Sequence, residues 1–528
     1  MELEGKDSFN KPSERENSEK EIDLTEKYSV EESSNNENEE QSSYRQIFKA
    51  TSLFGGVQVV TIIIGIFRIK IVAILLGTVG VGIIGLLNSP LELIISITGL
   101  GIVISSVRDV SEANKRNDKT SIAKTILTLR RWVWFTGALG AIVTLSLAPL
   151  LSEWSFGNRD YTWAFVWLSV VLLLKAISGG QKAILQGTRR LKDMAKASVI
   201  GSATGLITSL PLYYFFGTKG IVPALILSAL TALILSWYFS RKIPVKKISL
   251  SIRETWIKGS SMAKLGISMT LAGFIGVLSS YLLNIFISHQ GGIDQVGLYT
   301  AGWGVVGQYT GIVFTAMATD YFPRLSAVQT NNLKISKLVS QQGETAILIM
   351  IPLLSILILT MPFVVRILYT SAFLPIVMFA NLTVLGMQFK ALSWCMGYVF
   401  LAKGDGKLFL ILEIISGAII LFLNLTFYYF LGFNGLGISF IFSYLIGGLI
   451  AYSVLRKKYQ FRFQNGFTKK VIIAYLLVVF SFFTIFVPDL TYRYLTGGIV
   501  FIIATAYTYF KLNQLMDIKQ FILSKIKK

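Results

Sequence analysis

The most constraining feature of this sequence is a series of apolar runs, each about as long as a membrane-spanning helix. A spanning helix needs about 20 apolar residues, whereas the strands of a membrane barrel alternate over about ten. Of the 528 residues, 53% are hydrophobic and only 15% are charged, unlike the composition of soluble domains. The pattern therefore predicts an all-α polytopic membrane protein and excludes a porin-like barrel.

Fourteen runs qualify as spans when the sequence is divided at charged or turn-like breaks. They cover residues 51–76, 80–105, 132–151, 164–186, 196–216, 221–239, 263–288, 297–319, 346–368, 376–401, 408–431, 436–455, 471–487 and 494–510. The predicted organisation has an acidic tail (1–44), a lobe of six helices (45–240), a loop (241–262), a second six-helix lobe (263–458), two added helices (459–510) and a basic tail (511–528).

The basic residues predict the orientation, because Lys and Arg are enriched in cytoplasmic loops. They crowd the loops on one side of the predicted spans, and the opposite side has only Arg159, Lys219, Arg366 and Arg493. Both termini are thus predicted to be cytoplasmic. The single cysteine and the single histidine exclude a disulfide within the chain and a histidine-cluster metal site, so no metal or cofactor is predicted.

The two ends of the chain differ from the rest in composition. Residues 1–44 contain fourteen acids and five bases, a charge of −9, while the remainder carries +30. This tail has too few apolar residues to form a core and is predicted to be disordered. A phosphorylated or partner-binding arm is the alternative. The end of the chain, 511–528, is predicted to lie on the inner membrane surface as a basic amphipathic segment or to extend the last span.

The two predicted lobes match each other at a constant offset of 215 residues, the pattern of an internal duplication. Val81-Gly82-Ile83 then aligns with 296–298, Lys175 to Ser178 with 390–393, and the aromatic run 213–217 with 428–432. Because six helices is an even number, the two lobes are predicted to enter the membrane in the same direction. They would face each other across a cavity and support alternating access.

Cations within the predicted spans mark a pathway, since a charge at mid-membrane is costly unless it faces water or protein. Lys175 and Lys390 are the strongest pair, because the duplication places each on the fourth helix of its lobe. By symmetry both are expected to face the cavity; the alternative for Lys390 is a pair with Glu413. Arg68, Lys70 and Lys182 complete the candidate anion site. Arg68 and Lys70 point about 200° apart on a helix, so Lys70 has an alternative partner in Glu92.

Four further residues are candidates for gating or coupling. Asp320 and Arg324 fall at the cytoplasmic end of the eighth span, where they predict either a gate pair between lobes or a local ion pair at a helix end. Glu92 and Glu413 are among the few acids within or at the ends of the spans. The excess of bases over acids predicts an anionic cargo such as a phosphate or pyrophosphate.

Several stretches of this sequence resemble one known family, the Wzx-type polysaccharide flippases of the multidrug/oligosaccharidyl-lipid/polysaccharide exporter superfamily. The resemblance lies in residues 70–82, 296–303, 318–325 and 393–403, and it extends from Gln46 to about Lys470. The sequence looks most like the O-antigen or lipid III translocases. That resemblance implies two lobes around a cationic cavity and an undecaprenyl-pyrophosphate-linked oligosaccharide as cargo. It also implies a location in the bacterial inner membrane, where a polysaccharide polymerase and a chain-length regulator are possible partners.

Two other functions are alternatives to a flippase. A multidrug exporter of the same superfamily would handle cations and favour acids in its cavity, whereas the balance here is basic. A polysaccharide polymerase or ligase would need a large outer loop with catalytic arginines, whereas the predicted outer loops are short. The sequence contains no nucleotide-binding or hydrolase motif, so a transporter is predicted rather than an enzyme.

Overall fold

The computed structural model of the protein describes residues 60–116, 118–246 and 248–515. The acidic tail, the start of the first predicted span and most of the basic C-terminal segment lie outside these residues. The helices of the described part are α1 (Val60–Thr98), α2 (Ile102–Lys115), α3 (Lys119–Phe156), α4 (Thr162–Gly187), α5 (Leu191–Phe216), α6 (Ile221–Arg241), α7 (Ile252–Gly291), α8 (Ile293–Ala327), α9 (Asn332–Leu368), α10 (Ile376–Ala402), α11 (Gly406–Tyr459), α12 (Phe467–Phe483) and α13 (Leu490–Leu515). Short 3-10 turns occupy Gly217–Gly220, Ser371–Phe373 and Thr484–Phe486.

The helix lengths agree with the predicted number of spans. Within the described residues, nine helical segments are long and apolar enough to cross a membrane, and the bent helix α7 makes ten. Three of these segments, of 39, 51 and 54 residues, are about twice the length that one span needs. Counting each of the three as two spans, and adding the 35-residue α8, gives the fourteen that the sequence predicts. The all-α polytopic fold is confirmed.

Several helices begin with side-chain caps that satisfy their first backbone N–H groups. The Asp118 carboxylate accepts a hydrogen bond from the Thr120 amide at 2.8 Å before α3. Ser251 and Glu254 form a reciprocal capping box at the start of α7. Asn331 accepts from the Lys334 amide at 3.0 Å before α9. All three caps lie on the side of the predicted basic loops, where they fix the points at which these helices begin.

The long segments break at glycines that are related by the 215-residue offset. Gly217 and Gly432 have left-handed φ values of 53° and 62° with similar ψ values of −131° and −147°. Gly77 and Gly292 form a second such pair, with φ of 64° and 88°. Glycine adopts a positive φ at little cost, whereas most residues that carry a side chain are strained in this conformation. We therefore describe residues 60–241 as the first repeat and 275–456 as the second.

The two repeats also touch through a symmetrical glycine contact. A Cβ on Gly82 would lie 2.0 Å from the carbonyl oxygen of Ile293, and one on Gly297 would lie 1.9 Å from that of Thr78. Each contact becomes the other when 215 is added to or subtracted from the residue numbers. The second span of α1 and the start of α8 therefore cross backbone to backbone about a local two-fold axis, near the turns at Gly77 and Gly292.

The last two helices pack on the second repeat. Ser481 of α12 donates to Ser355 of α9 at 3.0 Å, and Thr508 of α13 donates to the Leu348 carbonyl at 3.1 Å. Lys470 and Glu344 form an ion pair at 2.5 Å at the same interface. This pair is mostly covered, with 35% and 11% of the two side chains exposed. Helices α12 and α13 thus extend the second repeat along α9.

Candidate functional site

A cavity of about 860 Å³ lies between the two repeats. Its first wall is formed by α1, α4, α5 and α6, and its second by α7, α8 and the end of α9. The first wall carries Arg68, Glu92, Lys175 and Lys182, so all the charged residues that line this cavity belong to the first repeat. The second wall is polar and aromatic, with Ser280, Asn284, Tyr299, Thr300, Trp303 and Tyr369. The cavity is thus asymmetric in charge, although the two repeats are related by duplication.

Helical spacing places the two lysines of α4 on the same face of the helix, two turns apart. Lys175, Ser178, Gly179 and Lys182 all line the cavity, and residues separated by three, four and seven positions share one face of an α-helix. Arg68 comes from the first span of α1 and Glu92 from the second, and the break at Gly77 brings these two spans together. Three cations and one carboxylate therefore face the same space, with an excess of positive charge.

The charges of the cavity are free to bind a ligand. Glu92 is the one carboxylate among the residues that line the cavity. Over the described parts of the chain, however, none of the ion pairs within 4.0 Å involves Arg68, Glu92, Lys175 or Lys182. An unpaired cation in a cavity gains most from an anionic partner that also accepts hydrogen bonds. The arrangement suits a phosphate or diphosphate group.

Four neutral polar atoms in the cavity lining also lack partners. Among the residues that the structure describes, no hydrogen-bond partner is found for the buried hydroxyls of Ser89, Tyr213 and Ser228 or for the carbonyl oxygen of the Asn284 side chain, and all four residues line the cavity. Buried polar groups are normally paired. These atoms could pair with a ligand that has many hydroxyl groups. The sequence alone does not single out these four residues, because serine and tyrosine are common in spans and only the fold brings them together.

Lys70 does not line the cavity. Its ammonium donates a hydrogen bond to the Arg366 carbonyl at 2.7 Å and another to the Tyr369 carbonyl. These carbonyls lie at the C-terminal end of α9, where backbone oxygens lack helical partners and cations are favoured. Lys70 is therefore not among the lining residues of the cavity, and its close partners are these carbonyls rather than Glu92.

Lys390 also lies outside the cavity lining, in contrast to the symmetrical arrangement expected from the duplication. Its ammonium sits 5.5 to 5.9 Å from the ring centres of Trp303, Phe314, Phe440 and Tyr444. Each distance is within the range of a cation–π interaction. We call these four residues the aromatic cage. Trp303 belongs to both the cage and the cavity wall, so it separates Lys390 from the cavity.

Glu413 lines a second, smaller space in the second repeat. This cavity of about 310 Å³ is bordered by Glu413, Ser279, Asn424 and Ser443, together with three cage residues. The ion pairs of the described residues do not include one between Glu413 and Lys390. The aromatic rings, not a carboxylate, are therefore the close partners of Lys390 in this conformation.

Asp320 and Arg324 form the local pair that was one of the two sequence-based alternatives. Their side chains meet at 3.0 Å, four residues apart on α8, and remain 69% and 55% exposed. A pair within one helix does not connect the two repeats. An exposed pair of this kind contributes little to stability.

Together, the fold and the cavity define a polytopic membrane protein with two repeats around a cationic space. Residues 114–378, half of the chain, match the family described as "Polysaccharide biosynthesis protein", and the chain belongs to that family. It is 23% identical over 288 residues to Stage V sporulation protein B of Bacillus subtilis (strain 168), a match covering 52% of this chain and 55% of that protein. The chain therefore spans about half the length of this curated relative.

Solved structures show the same fold. An inward-facing multidrug resistance MATE family transporter of the MOP superfamily has a TM-score of 0.64 and 15% identity, covering 78% of this chain and 96% of that one. The lipid II flippase MurJ in an inward closed conformation has a TM-score of 0.62 and 14% identity, covering 87% and 99%. At these identities the likeness extends to the fold and leaves the cargo to be argued from the site.

Proposed function

We propose that this protein is a flippase for oligosaccharide repeat units linked to undecaprenyl pyrophosphate. It would move them by alternating access from the inner to the outer leaflet of the bacterial cytoplasmic membrane, for O-antigen or a related surface polysaccharide. The observation that carries this proposal is the asymmetric cavity, in which Arg68, Lys175 and Lys182 outnumber Glu92. Membership of the polysaccharide biosynthesis family supports the same cargo class.

The chemistry of the cavity suits the two polar parts of this cargo. Arg68 supplies a planar fork of donors that can bind a phosphate with two parallel hydrogen bonds, while the two lysines act as point charges. The unpaired hydroxyls and amide oxygen in the lining would pair with sugar hydroxyls, which both donate and accept. The hydrophobic carrier would remain in the lipid, because a cavity of about 860 Å³ is suited to the head group.

The proposal assigns different roles to the candidate residues. Arg68, Lys175 and Lys182 bind the pyrophosphate, and Glu92 offsets part of the repulsion among these cationic side chains. Lys390 supports the cavity wall from behind Trp303. A polysaccharide polymerase and a chain-length regulator would act on the product in the outer leaflet.

The decisive experiment is depletion of the protein in its own bacterium, followed by leaflet-selective labelling of lipid-linked oligosaccharide. Single repeat units should accumulate on the cytoplasmic face, and the wild-type protein should restore export. The double variant Arg68→Gln/Lys175→Gln should restore export about 100-fold less well or worse, because each lost charged hydrogen bond contributes about 1.5–3 kcal/mol. Lys219→Gln, at an exposed lysine between α5 and α6, is the matched control and should export normally.

Other outcomes would replace the proposal. Finished repeat units that collect in the outer leaflet would indicate a polymerase or ligase step. An unchanged lipid pool combined with lost resistance to cationic drugs would indicate a multidrug exporter. Normal export by the double variant at normal abundance would remove the assigned role of Arg68 and Lys175.

A further inference from the structure

One side chain connects the two repeats through the end of a helix. Lys70 belongs to the first repeat, and the two carbonyls that its ammonium contacts, those of Arg366 and Tyr369, belong to the second. They are 296 and 299 residues away along the chain. Helix α9 ends at Leu368, so these carbonyls lie at the negative end of its dipole. The contact is therefore a C-terminal cap supplied across the interface between the repeats.

The cap lies on the same side of the cavity as the glycine crossing. Gly82 and Gly297 bring α1 and α8 into backbone contact close to the turns at Gly77 and Gly292. Tyr369, whose carbonyl accepts from Lys70, also lines the cavity and donates through its hydroxyl to the Ala301 carbonyl at 3.3 Å. The distribution of basic residues predicts that this is the outer side. The lysine cap and the glycine crossing thus both join the two repeats on this side.

We propose that Lys70 is a latch that holds the repeats together on the outer side and must release before the cavity can open outward. A rocking motion that separates the outer ends of α1 and α9 removes both hydrogen bonds at once. It also leaves the ammonium without an acceptor until water or an anion reaches it. Because a hydrogen bond from a charged donor is stronger than a neutral one, the latch favours the outer-closed state.

The latch can be measured in the absence of any cargo, so its test is independent of the proposed flippase activity. Spin labels are placed at Lys219→Cys and Ser371→Cys, two exposed positions at the outer turns of the first and second repeats, in a background carrying Cys395→Ala. Pulsed electron–electron distance measurements in lipid nanodiscs then report the separation of the outer ends. Lys70→Met should shift the equilibrium about tenfold or more toward the longer, outer-open distance.

Two variants serve as comparisons. Lys70→Arg retains donors and charge at the same position, so its distance distribution should remain close to that of the wild type. Lys182→Met removes a lysine that lines the cavity but does not contact α9, so it too should leave the distances unchanged. If Lys70→Met does not accumulate in folded form, Lys70→Gln takes its place and should give a smaller shift in the same direction.

The latch is overturned if folded Lys70→Met and Lys70→Gln both give the wild-type distribution. It is also overturned if Lys182→Met produces the same shift, because loss of any partly buried lysine would then explain the result. A failure of the flippase proposal, by contrast, would appear only in the leaflet-labelling experiment and would leave these distances as they are.

Discussion

Lys175 and Lys390 occupy equivalent positions in the two repeats, yet their surroundings differ. Lys175 is exposed to the cavity beside Arg68 and Glu92, whereas Lys390 lies within the aromatic cage. Subtracting 215 from the numbers of the four cage residues gives Asn88, Gly99, Leu225 and Ala229 in the first repeat. Three of these smaller residues line the cavity. The duplicated lysine has thus been kept in both halves, while the space around it is open in one and filled by aromatic rings in the other.

This difference shows that volume, as much as charge, defines the site. A lysine can bind an anion only where the anion can reach it, and the rings around Lys390 occupy the space that a ligand would need. The cage also makes the second repeat a rigid wall, because Trp303 is held between the cavity and the lysine. The first repeat therefore supplies the charged side chains and the open volume of the cavity, and the second repeat supplies a neutral wall.

The greatest loss of export is expected when the cavity of the first repeat is filled by an aromatic side chain, as the equivalent space in the second repeat is. Ala229 is the counterpart of Tyr444, and Ala229→Tyr would place an aromatic ring beside Lys175 within the cavity. The ring should exclude the head group, so export measured by leaflet-selective labelling should fall about 100-fold or more, comparable to the loss of two charged hydrogen bonds. The cavity has room for the added side chain, so the protein should remain folded.

The control for this variant lies one residue away. Leu230 is 38% exposed and does not line the cavity, so Leu230→Tyr adds an aromatic ring to the same helix outside the site and should export normally. Equal export by Ala229→Tyr and the wild type would show that the open volume beside Lys175 is not used by the cargo.

A smaller effect is expected from removing the lysine of the cage. Lys390→Ala leaves a void between four rings and should lower the free energy of unfolding by about 2–4 kcal/mol, the usual cost of a large-to-small change in a packed interior. Lys390→Met keeps the length of the side chain and should cost less than about 1.5 kcal/mol, since the lost cation–π attraction is offset by the removal of a desolvated charge. Thermal unfolding in detergent measures both.

The equivalent changes at Lys175 should act on export rather than on stability. Because Lys175 is exposed to the cavity, both Lys175→Ala and Lys175→Met should leave the unfolding midpoint nearly unchanged while reducing export. If instead Lys390→Met reduces export as strongly as Lys175→Met, the cage releases Lys390 to the cargo during transport, and the distinction between the two lysines disappears.

The sequence alone could predict much of the fold but only part of the site. Hydropathy is a property of local composition, so the fourteen spans and the charges within them follow from short windows. The shared face of Lys175 and Lys182 also follows from helical spacing. The cage does not, because its members come from α8 and α11 and surround a residue on α10. The cap formed by Lys70 has the same origin, since its acceptors are backbone carbonyls, which have no sequence signature.

The least change in stability is expected at two equivalent turns, which precede α5 in the first repeat and α11 in the second. Asp405 is the counterpart of Arg190 at the start of an equivalent helix, and its carboxylate accepts hydrogen bonds from Lys458 and from Tyr459, the latter at 2.7 Å. These bonds lower the pKa of Asp405 below its ordinary value of 3.8, with the bond from Lys458 as the largest cause. A carboxyl whose pKa is lowered by folding stabilises the folded protein fully at pH values above its pKa in the unfolded state. This stabilisation is lost as the pH falls through its pKa in the folded state.

The thermal midpoint of the wild type should therefore decline below about pH 4, and Asp405→Asn should remove part of that decline while lowering the midpoint slightly at neutral pH. The effect is small because the pair is partly exposed and screened by solvent. Asp193→Asn is the matched control in the first repeat, where Arg190 and Asp193 are 3.6 Å apart and the contact lies within one turn of a helix. If Asp193→Asn lowers the thermal midpoint more than Asp405→Asn does, the local Arg190–Asp193 contact stabilises this side of the protein. The contacts of Asp405 with Lys458 and Tyr459 would then contribute less.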